Sequence, residues 1–245
     1  MFDAHTVKPP TLSTLVLYRI YSRLVRLLRY NRSLHRIIFG YLPICDGRIY
    51  GEYWDWTTLQ MIRCMGKYLH HDSVLLDMGC GPVAPLAIYA ARKLKCRAVT
   101  AVDYLPEIAA CAQKQIDRLG LAINCCCSDL FSNITNKFDC IVFNSPYIMT
   151  PTGRELGLFF SDTQVRRFCG GDNHPETIVR FLRSVPHYLS PGGRILLGVN
   201  RFYMPDEALR GLFAQADAVL HAVHENAITK SAVYVLSYTD DKERK

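Results

Sequence analysis

The chain lacks any long apolar run, although apolar residues make up 49% of it. No uninterrupted stretch approaches the roughly 18 to 20 residues that a membrane-spanning helix needs, so no membrane span is predicted. Residues 1–10 lack the basic start and apolar core that mark a secretory signal. Internal repeats and low-complexity tracts are missing as well. A cytoplasmic protein is therefore expected, with one large domain or a core domain and a small appendage within its 245 residues.

Paired cysteines are missing too. Ten cysteines are present, yet none of them forms a Cys-x-x-Cys pair. Cys125, Cys126 and Cys127 are consecutive in an apolar segment, where neighbouring side chains of a strand point to opposite faces. Zinc needs ligands that converge on one point, which this arrangement does not offer. Reduced cysteines that serve as small core residues are expected, and no metal site is predicted.

Positive charge is concentrated near the start of the chain. Residues 1–50 hold eight Lys and Arg against two acidic residues, whereas the remaining 195 residues hold 21 basic and 20 acidic groups. Leucines and arginines follow separate faces of a predicted helix over residues 12–30. Its arginines could meet the phosphates of a nucleic acid or make a peripheral contact with an anionic membrane surface. They could equally lie in water while the leucines dock the helix.

Strands alternate with helices after residue 68. Strands are predicted over 73–79, 97–103, 123–129, 137–144, 192–200, 218–225 and 231–239, and helices over 84–94, 105–120, 174–189 and 206–216. This alternation predicts an α/β fold with a Rossmann-like doubly wound seven-stranded sheet. The sheet should be mostly parallel, with an antiparallel hairpin at its C-terminal end because only a few residues join the last two strands. We expect two parts: a helical N-terminal appendage and lid (1–68) and the sheet domain (69–245).

The turn after the first predicted strand reads DMGCG. Gly79 and Gly81 allow the backbone to turn sharply and to approach a ligand closely. Asp77 precedes the first glycine by two residues, where a carboxylate can hold a cationic amino group. Asp103 ends the second strand and could accept hydrogen bonds from two ribose hydroxyls. The glycine turn is also typical of nicotinamide-dependent oxidoreductases, which is one alternative.

Taken in order, DMGCG, VTAVD, CSDLF, LSPGGRILL and the closing hairpin resemble the class I S-adenosylmethionine-dependent methyltransferases. The resemblance spans residues 69–238 and implies S-adenosylmethionine as the cofactor. The family's cofactor-binding positions correspond here to Asp77, Gly79, Gly81, Asp103, Tyr104, Asp129, Leu130 and Asn144. Val83 stands where the family often has a third glycine.

The tetrapeptide Asn-Ser-Pro-Tyr (144–147) follows the fourth predicted strand. It is similar to the Asn-Pro-Pro-Tyr signature of methyltransferases that act on a nitrogen conjugated to a π-system. This resemblance implies that the Asn144 side-chain oxygen and the Ser145 carbonyl accept the two N–H groups of the acceptor. It implies a rigid turn at Pro146 and a stacking ring at Tyr147. The nearest subgroup is the release-factor glutamine methyltransferases, whose Pro-Glu-Thr-Glu segment would correspond to residues 53–62, where Thr57 or Thr58 could match the threonine.

The methyl acceptor is left open between a protein glutamine amide, an RNA base and a small planar metabolite. Tyr53, Trp54 and Trp56 either bind a flat substrate or staple the N-terminal helices to the sheet. The segment 149–171 is predicted to line the acceptor pocket as a long loop. We expect an S-adenosylmethionine-dependent N-methyltransferase. A non-catalytic methyltransferase-like subunit that binds a partner through the basic helix is the second alternative.

Overall fold

A computed structural model describes residues 25, 27–158, 162–172 and 175–239. Its centre is a seven-stranded sheet in the order β3-β2-β1-β4-β7-β9-β8. The strands are β1 (Val74–Met78), β2 (Ala98–Asp103), β3 (Asn124–Cys127), β4 (Phe138–Asn144), β7 (Leu189–Asn200), β8 (Val219–Glu225) and β9 (Ser231–Ser237). Two short strands, β5 (Ile148–Met149) and β6 (Cys169–Gly171), form a separate parallel pair.

Helices flank this sheet on both faces. They are α1 (Arg32–Phe39), α2 (Gly47–Tyr50), α3 (Trp56–Tyr68), α4 (Pro85–Tyr89), α5 (Pro106–Arg118), α6 (Thr150–Glu155), α7 (Asp162–Phe168), α8 (Glu176–Ser184) and α9 (Asp206–Gln215). A π-helical turn (Ala90–Leu94) continues α4, and a 3-10 turn (Val185–Tyr188) follows α8. Pro85 and Pro106 each occupy a first helical turn, where the missing N–H has no intrahelical partner to lose.

The strand pairing confirms the predicted sheet. β1 pairs in parallel with β2 and β4, and β4 pairs in parallel with β7. β9 pairs antiparallel with both β7 and β8, which is the predicted closing hairpin. The central strands are nearly continuous apolar runs because helices cover both of their faces.

The described part of the N-terminal segment shares its core with the sheet. Tyr41, Cys45, Tyr53 and Trp54 belong to the same buried cluster as Leu75 of β1. Helix α3 packs across β7 and β9. The division of the chain at residue 68 stays a prediction. Of the predicted basic helix over 12–30, residues 12–24 and 26 lie outside the described residues, while residues 27–29 are helical.

The segment 149–171, predicted as a long loop, contains ordered elements. Its described residues form part of β5, α6, α7 and β6. Gly170 of β6 lies so close to the 144–147 turn that a Cβ built on it would collide with the Pro146 carbonyl oxygen. The prediction of an irregular loop was therefore wrong, because short helices of this kind have too few turns to show periodicity.

Within the described part of the chain, no helix combines the length and apolar character that crossing a bilayer requires.

The contact of α3 with β7 depends on a glycine. A Cβ built on Gly198 would meet Met61 Sδ at 2.5 Å and Thr57 Cγ2 at 2.9 Å. Both atoms belong to α3, so Gly198 lets this helix approach the sheet closely. Gly211 of α9 is the opposite case, since its Cβ would meet nothing within 4 Å.

These two glycines yield a paired prediction. Gly198→Ala should lower the free energy of unfolding by about 1–3 kcal/mol because the helix must shift to make room. Gly211→Ala should raise it by up to about 1 kcal/mol, since alanine favours an exposed helix interior. Urea unfolding of both variants measures the difference. Equal effects of the two substitutions would show that the approach of α3 at Gly198 is not sterically demanding.

Candidate active site

A cleft of about 520 Å³ lies at the carboxyl edge of the sheet. It opens between the ends of β1 and β4, where the strand order reverses and α/β sheets most often bind ligands. Every site residue predicted from the sequence lines this cleft: Tyr53, Trp54, Trp56, Asp77, Gly79, Gly81, Asp103, Tyr104, Asp129, Leu130, Asn144, Ser145, Pro146 and Tyr147. The structure therefore brings all of them together, while their roles stay predictions.

The glycine turn after β1 forms one wall of the cleft. Gly79 and Gly81 have φ values of +69° and +66°, which side chains with a Cβ adopt only with strain. The Gly81 amide donates a hydrogen bond of 3.1 Å to Asp103 Oδ2, so the turn is tied to the end of β2. Val83 is buried in the core, and its carbonyl accepts a 2.7 Å hydrogen bond from the Tyr41 hydroxyl. The valine therefore fits this turn without a third glycine.

Two buried carboxylates lie behind this wall. Asp77 Oδ2 accepts a hydrogen bond of 2.9 Å from the Ala87 amide at the start of α4. Burial raises the pKa of Asp77 to about 8, the Ala87 N–H lowers it, and the neighbouring Asp103 raises it. Burial also raises the pKa of Asp103, although Arg167 acts in the opposite direction. A site that holds two such groups side by side favours a positively charged ligand.

Helix α7 closes over the ribose end of the predicted cofactor site. The Arg167 guanidinium donates to the Tyr50 carbonyl, and its Nη2 lies 3.1 Å from the position of a Cβ on Gly81. The Tyr104 hydroxyl donates to the Arg166 carbonyl. Arg166 and Glu107 form an ion pair at 3.5 Å. The 149–171 segment thus reaches the cofactor side of the cleft as well as the Pro146 turn.

The predicted adenine end is held by the turn after β3. Leu130 has a left-handed φ of +48°, and its carbonyl accepts a 2.8 Å hydrogen bond from Ser128 Oγ. Asp129 forms an ion pair of 2.7 Å with Arg180 of α8. Its carboxylate is about half exposed, so it can still be reached from the cleft.

The Asn144 amide is oriented by Asp55, which directly precedes α3, and by Thr58 in the first turn of that helix. Its Nδ2 donates to Asp55 Oδ1 at 3.2 Å and lies 3.4 Å from Thr58 Oγ1. Its Oδ1 is buried and has no hydrogen-bond partner among the described residues. An ionised carboxylate accepts hydrogen bonds but cannot donate them. The amide nitrogen of Asn144 therefore faces Asp55, and the amide oxygen is left without a partner.

The rest of the tetrapeptide is fixed on both sides. The amide and the hydroxyl of Ser145 donate to the Gly198 carbonyl at 3.2 and 3.1 Å. These two bonds restrain the turn at Ser145. The Tyr147 hydroxyl donates to Asp55 Oδ2 at 3.1 Å, and its ring stacks on Tyr203 with centroids 6.0 Å apart.

The aromatic residues before α3 are divided between core and cleft. Tyr53 and Trp54 are only 4% exposed, and the Tyr53 hydroxyl bridges the Cys45 carbonyl and the Gly47 amide. Trp56 is half-buried and meets Trp54 edge-on, with centroids 5.4 Å apart. The burial of Tyr53 and Trp54 therefore matches the alternative in which they join the N-terminal helices to the sheet. Their contact with a substrate stays a prediction.

Asp55 is the main site residue that the sequence analysis missed. It precedes α3 as its N-cap, and the pattern Asp-x-x-Thr forms a capping box with Thr58. That pattern predicts a helix start, but it does not reveal that the same carboxylate reaches residues about 90 positions further along the chain. Arg180 also lines the cleft without having been assigned to it, whereas Arg166 and Arg167 belong to the 149–171 segment that was predicted to line the acceptor pocket.

Comparisons with known proteins show relatives among the methyltransferases. Residues 51–154, which include α3, the glycine turn and the 144–147 tetrapeptide, match the family model "Methyltransferase small domain". The chain is 31% identical over 119 residues to a candidate protein N5-glutamine methyltransferase of Methanocaldococcus jannaschii, covering 49% of this chain and 57% of that one. It is 30% identical over 156 residues to the human methyltransferase HEMK2, covering 62% of this chain and 71% of that one.

A release factor glutamine methyltransferase of Geobacter sulfurreducens is 28% identical over 149 residues, which cover 59% of this chain and 51% of the relative. Among solved structures, a methyltransferase of Pyrococcus furiosus superposes with a TM-score of 0.60 at 20% identity, over 88% of this chain and 96% of that one. That likeness shows the fold. The chain spans little more than half the length of the Methanocaldococcus and Geobacter relatives. Because it is 30% identical to the human methyltransferase and covers 71% of it, the chain belongs to the class I S-adenosylmethionine-dependent methyltransferases, and it is similar within them to the release-factor glutamine methyltransferases.

Proposed function

We propose that the chain is an S-adenosylmethionine-dependent N-methyltransferase whose acceptor is a planar, conjugated nitrogen. The single observation that carries the proposal is the Asn144 amide. Its oxygen is buried in the cleft wall without a hydrogen-bond partner among the described residues, while its nitrogen is engaged by Asp55 and Thr58. An unpaired buried acceptor costs roughly 1–3 kcal/mol, and an incoming N–H donor would relieve that cost.

The remaining cleft residues fit the cofactor. Asp77 would take the ammonium group of its methionine part, the Gly79–Gly81 turn would lie along its chain, and Asp103 with Tyr104 would hold the ribose. Asp129 and Leu130 would meet the adenine. When bound, S-adenosylmethionine supplies an electrophilic methyl group on a sulfonium. Family membership also argues against a nicotinamide-dependent oxidoreductase, which would share the glycine turn and Asp103 but has no use for the Asn-Ser-Pro-Tyr and CSDLF segments.

The chain's own residues would prepare the acceptor. A nitrogen conjugated to a carbonyl or a ring is a weak nucleophile because its lone pair is delocalised. Asn144 Oδ1 and the Ser145 carbonyl would accept its two N–H bonds and aim the lone pair into the cleft. Both oxygens would also stabilise the positive charge that grows on this nitrogen. Asn144 would thus act by position and charge without gaining or losing a proton, and the proton that the methylated nitrogen gives up would pass to water.

Among acceptors, we propose the side-chain amide of a protein glutamine. The support is the similarity to relatives whose names specify glutamine methylation. An RNA base and a small planar metabolite offer the same kind of nitrogen. Incubation with tritium-labelled S-adenosylmethionine and separated protein, RNA and metabolite fractions tests the choice. Label in the protein fraction, located on glutamine by mass spectrometry, is expected, and label confined to another fraction would refute a protein acceptor.

Asn144→Ala should lower kcat by about 100-fold, because it removes one oriented acceptor from the transition state. Affinity for S-adenosylmethionine, measured by calorimetric titration, should change by less than about threefold. Asn136→Ala, in an exposed turn before β4, is the matched control and should leave both quantities unchanged. Undiminished methyl transfer by Asn144→Ala would refute the role of this amide. Failure of the wild-type chain to bind S-adenosylmethionine would instead favour a non-catalytic subunit.

Cofactor affinity should depend on pH through Asp77. Burial raises the pKa of Asp77 to about 8, so below that value the group must lose a proton before it can pair with an ammonium group. Affinity should therefore increase as the pH rises, by up to about tenfold per unit, and should level off near pH 8. Calorimetry in buffers of different ionisation enthalpy should show one proton released on binding. Asp77→Asn should bind weakly and lose this proton release, and an unchanged pH profile in that variant would assign the dependence to another group.

A further inference from the structure

We infer that Asp55 is a positioning residue that fixes both Asn144 and Tyr147 for the reaction, an inference that rests on the proposed methyl transfer. Asp55 lies just before α3 and lines the cleft. Its carboxylate joins the start of that helix to the tetrapeptide at the end of β4.

The carboxylate accepts four hydrogen bonds. Thr58 donates two of them to Oδ1, from its amide at 2.6 Å and from its hydroxyl at 2.7 Å. Asn144 Nδ2 also donates to Oδ1, at 3.2 Å, and the Tyr147 hydroxyl donates to Oδ2 at 3.1 Å. The first pair caps the helix, and the second pair holds the tetrapeptide. One side chain therefore couples a structural task to the geometry of the site.

The contact with Asn144 decides which end of the amide faces the acceptor. An asparagine amide has a donor end and an acceptor end of almost equal shape. Without a fixed partner, it could turn by half a rotation and present its NH₂ group to the acceptor nitrogen. An acceptor-only carboxylate at Asp55 prevents this, because it binds the NH₂ end. It also polarises the amide and so strengthens Oδ1 as an acceptor.

The contact with Tyr147 sets the second wall of the acceptor site. Burial raises the pKa of Tyr147 well above its usual value, and Asp55 raises it further. The phenol is therefore protonated and donates to Asp55 at physiological pH. Thr57 Oγ1 lies 3.5 Å from the same hydroxyl. These contacts hold the ring in the plane in which it stacks on Tyr203.

A positively charged side chain lies near Asp55. Arg29 forms an ion pair of 2.8 Å with Glu52, and both side chains line the same cleft. Although burial lowers it, the Glu52 and Asp55 carboxylates raise the pKa of Arg29 above its usual value. A fixed cation near Asp55 thus compensates part of its charge.

Asp55→Ser separates the two tasks of this residue. Serine is nearly as good an N-cap as aspartate, so α3 should keep its start. Its side chain is too short to bridge to both Asn144 and Tyr147. We expect kcat to fall by about 10- to 100-fold, in line with a loss of alignment. Affinity for S-adenosylmethionine should remain close to that of the wild type, and the unfolding temperature should fall by roughly 2–8 °C because the Tyr147 hydroxyl loses its acceptor.

A double-mutant cycle shows whether Asp55 acts through Asn144. If it does, Asp55→Ser combined with Asn144→Ala should be within about threefold of Asn144→Ala alone, because the group to be positioned is already gone. If Asp55 acts independently of Asn144, its loss will multiply with that of Asn144→Ala, and that result would overturn the inference. Asp55→Asn provides the same cycle if the serine variant does not fold, because it keeps the shape and the cap but not the charge.

Asn31→Ser is the matched control for the capping task. Asn31 is the N-cap of α1, and its side chain accepts from the Leu34 amide outside the cleft. This variant should leave kcat unchanged, and a loss equal to that of Asp55→Ser would overturn the inference.

The proposed function and the positioning role of Asp55 are refuted by different results. A wild-type chain that transfers no methyl group refutes the proposed function, whereas an active wild type with an equally active Asp55→Ser refutes only the positioning role.

Discussion

The site depends on the close approach of α3 to β7 at Gly198. The missing Cβ lets Met61 and Thr57 of the helix settle directly on the strand. The same glycine offers its carbonyl to the amide and the hydroxyl of Ser145. As a result, the N-terminal end of α3 lies beside the end of β4, and Asp55 reaches Asn144. A wider separation between helix and sheet would break this link even if every site residue were retained.

Electrostatics divides the cleft into two halves with different tasks. The glycine-turn half holds Asp77 and Asp103, whose pKa values are raised mainly by burial, so it favours a cationic ligand. The β4 half holds neutral oxygens oriented by a carboxylate that is already engaged in four hydrogen bonds. Under the proposed function, charge that attracts the donor is thus kept apart from dipoles that select the acceptor. Such a separation suits the transfer of a group from a positively charged donor to a neutral nitrogen.

The strands and the lining of the cleft could be predicted from the sequence because both follow from local patterns. Apolar strands that end in Asp77, Asp103 and Asn144 must meet at one edge of a parallel sheet. Asp55 could not be found in this way, because its capping box is a local signal and its contact with Asn144 spans 89 residues. Helix α7 was missed for a related reason: seven residues give too few turns for a recognisable apolar face.

The unpaired oxygen of Asn144 is informative because stability alone would not retain it. A buried polar atom without a partner lowers the free energy of unfolding by about 1–3 kcal/mol, and an apolar side chain of similar size would avoid that loss. The chain instead surrounds this oxygen with well-made contacts, since the nitrogen of the same amide, Ser145 and Tyr147 all have hydrogen-bond partners. Within the 144–147 tetrapeptide, the deficit is therefore confined to the Asn144 side-chain oxygen. That confinement is expected of a group kept ready for a ligand, and it is not expected of a loosely packed strand end.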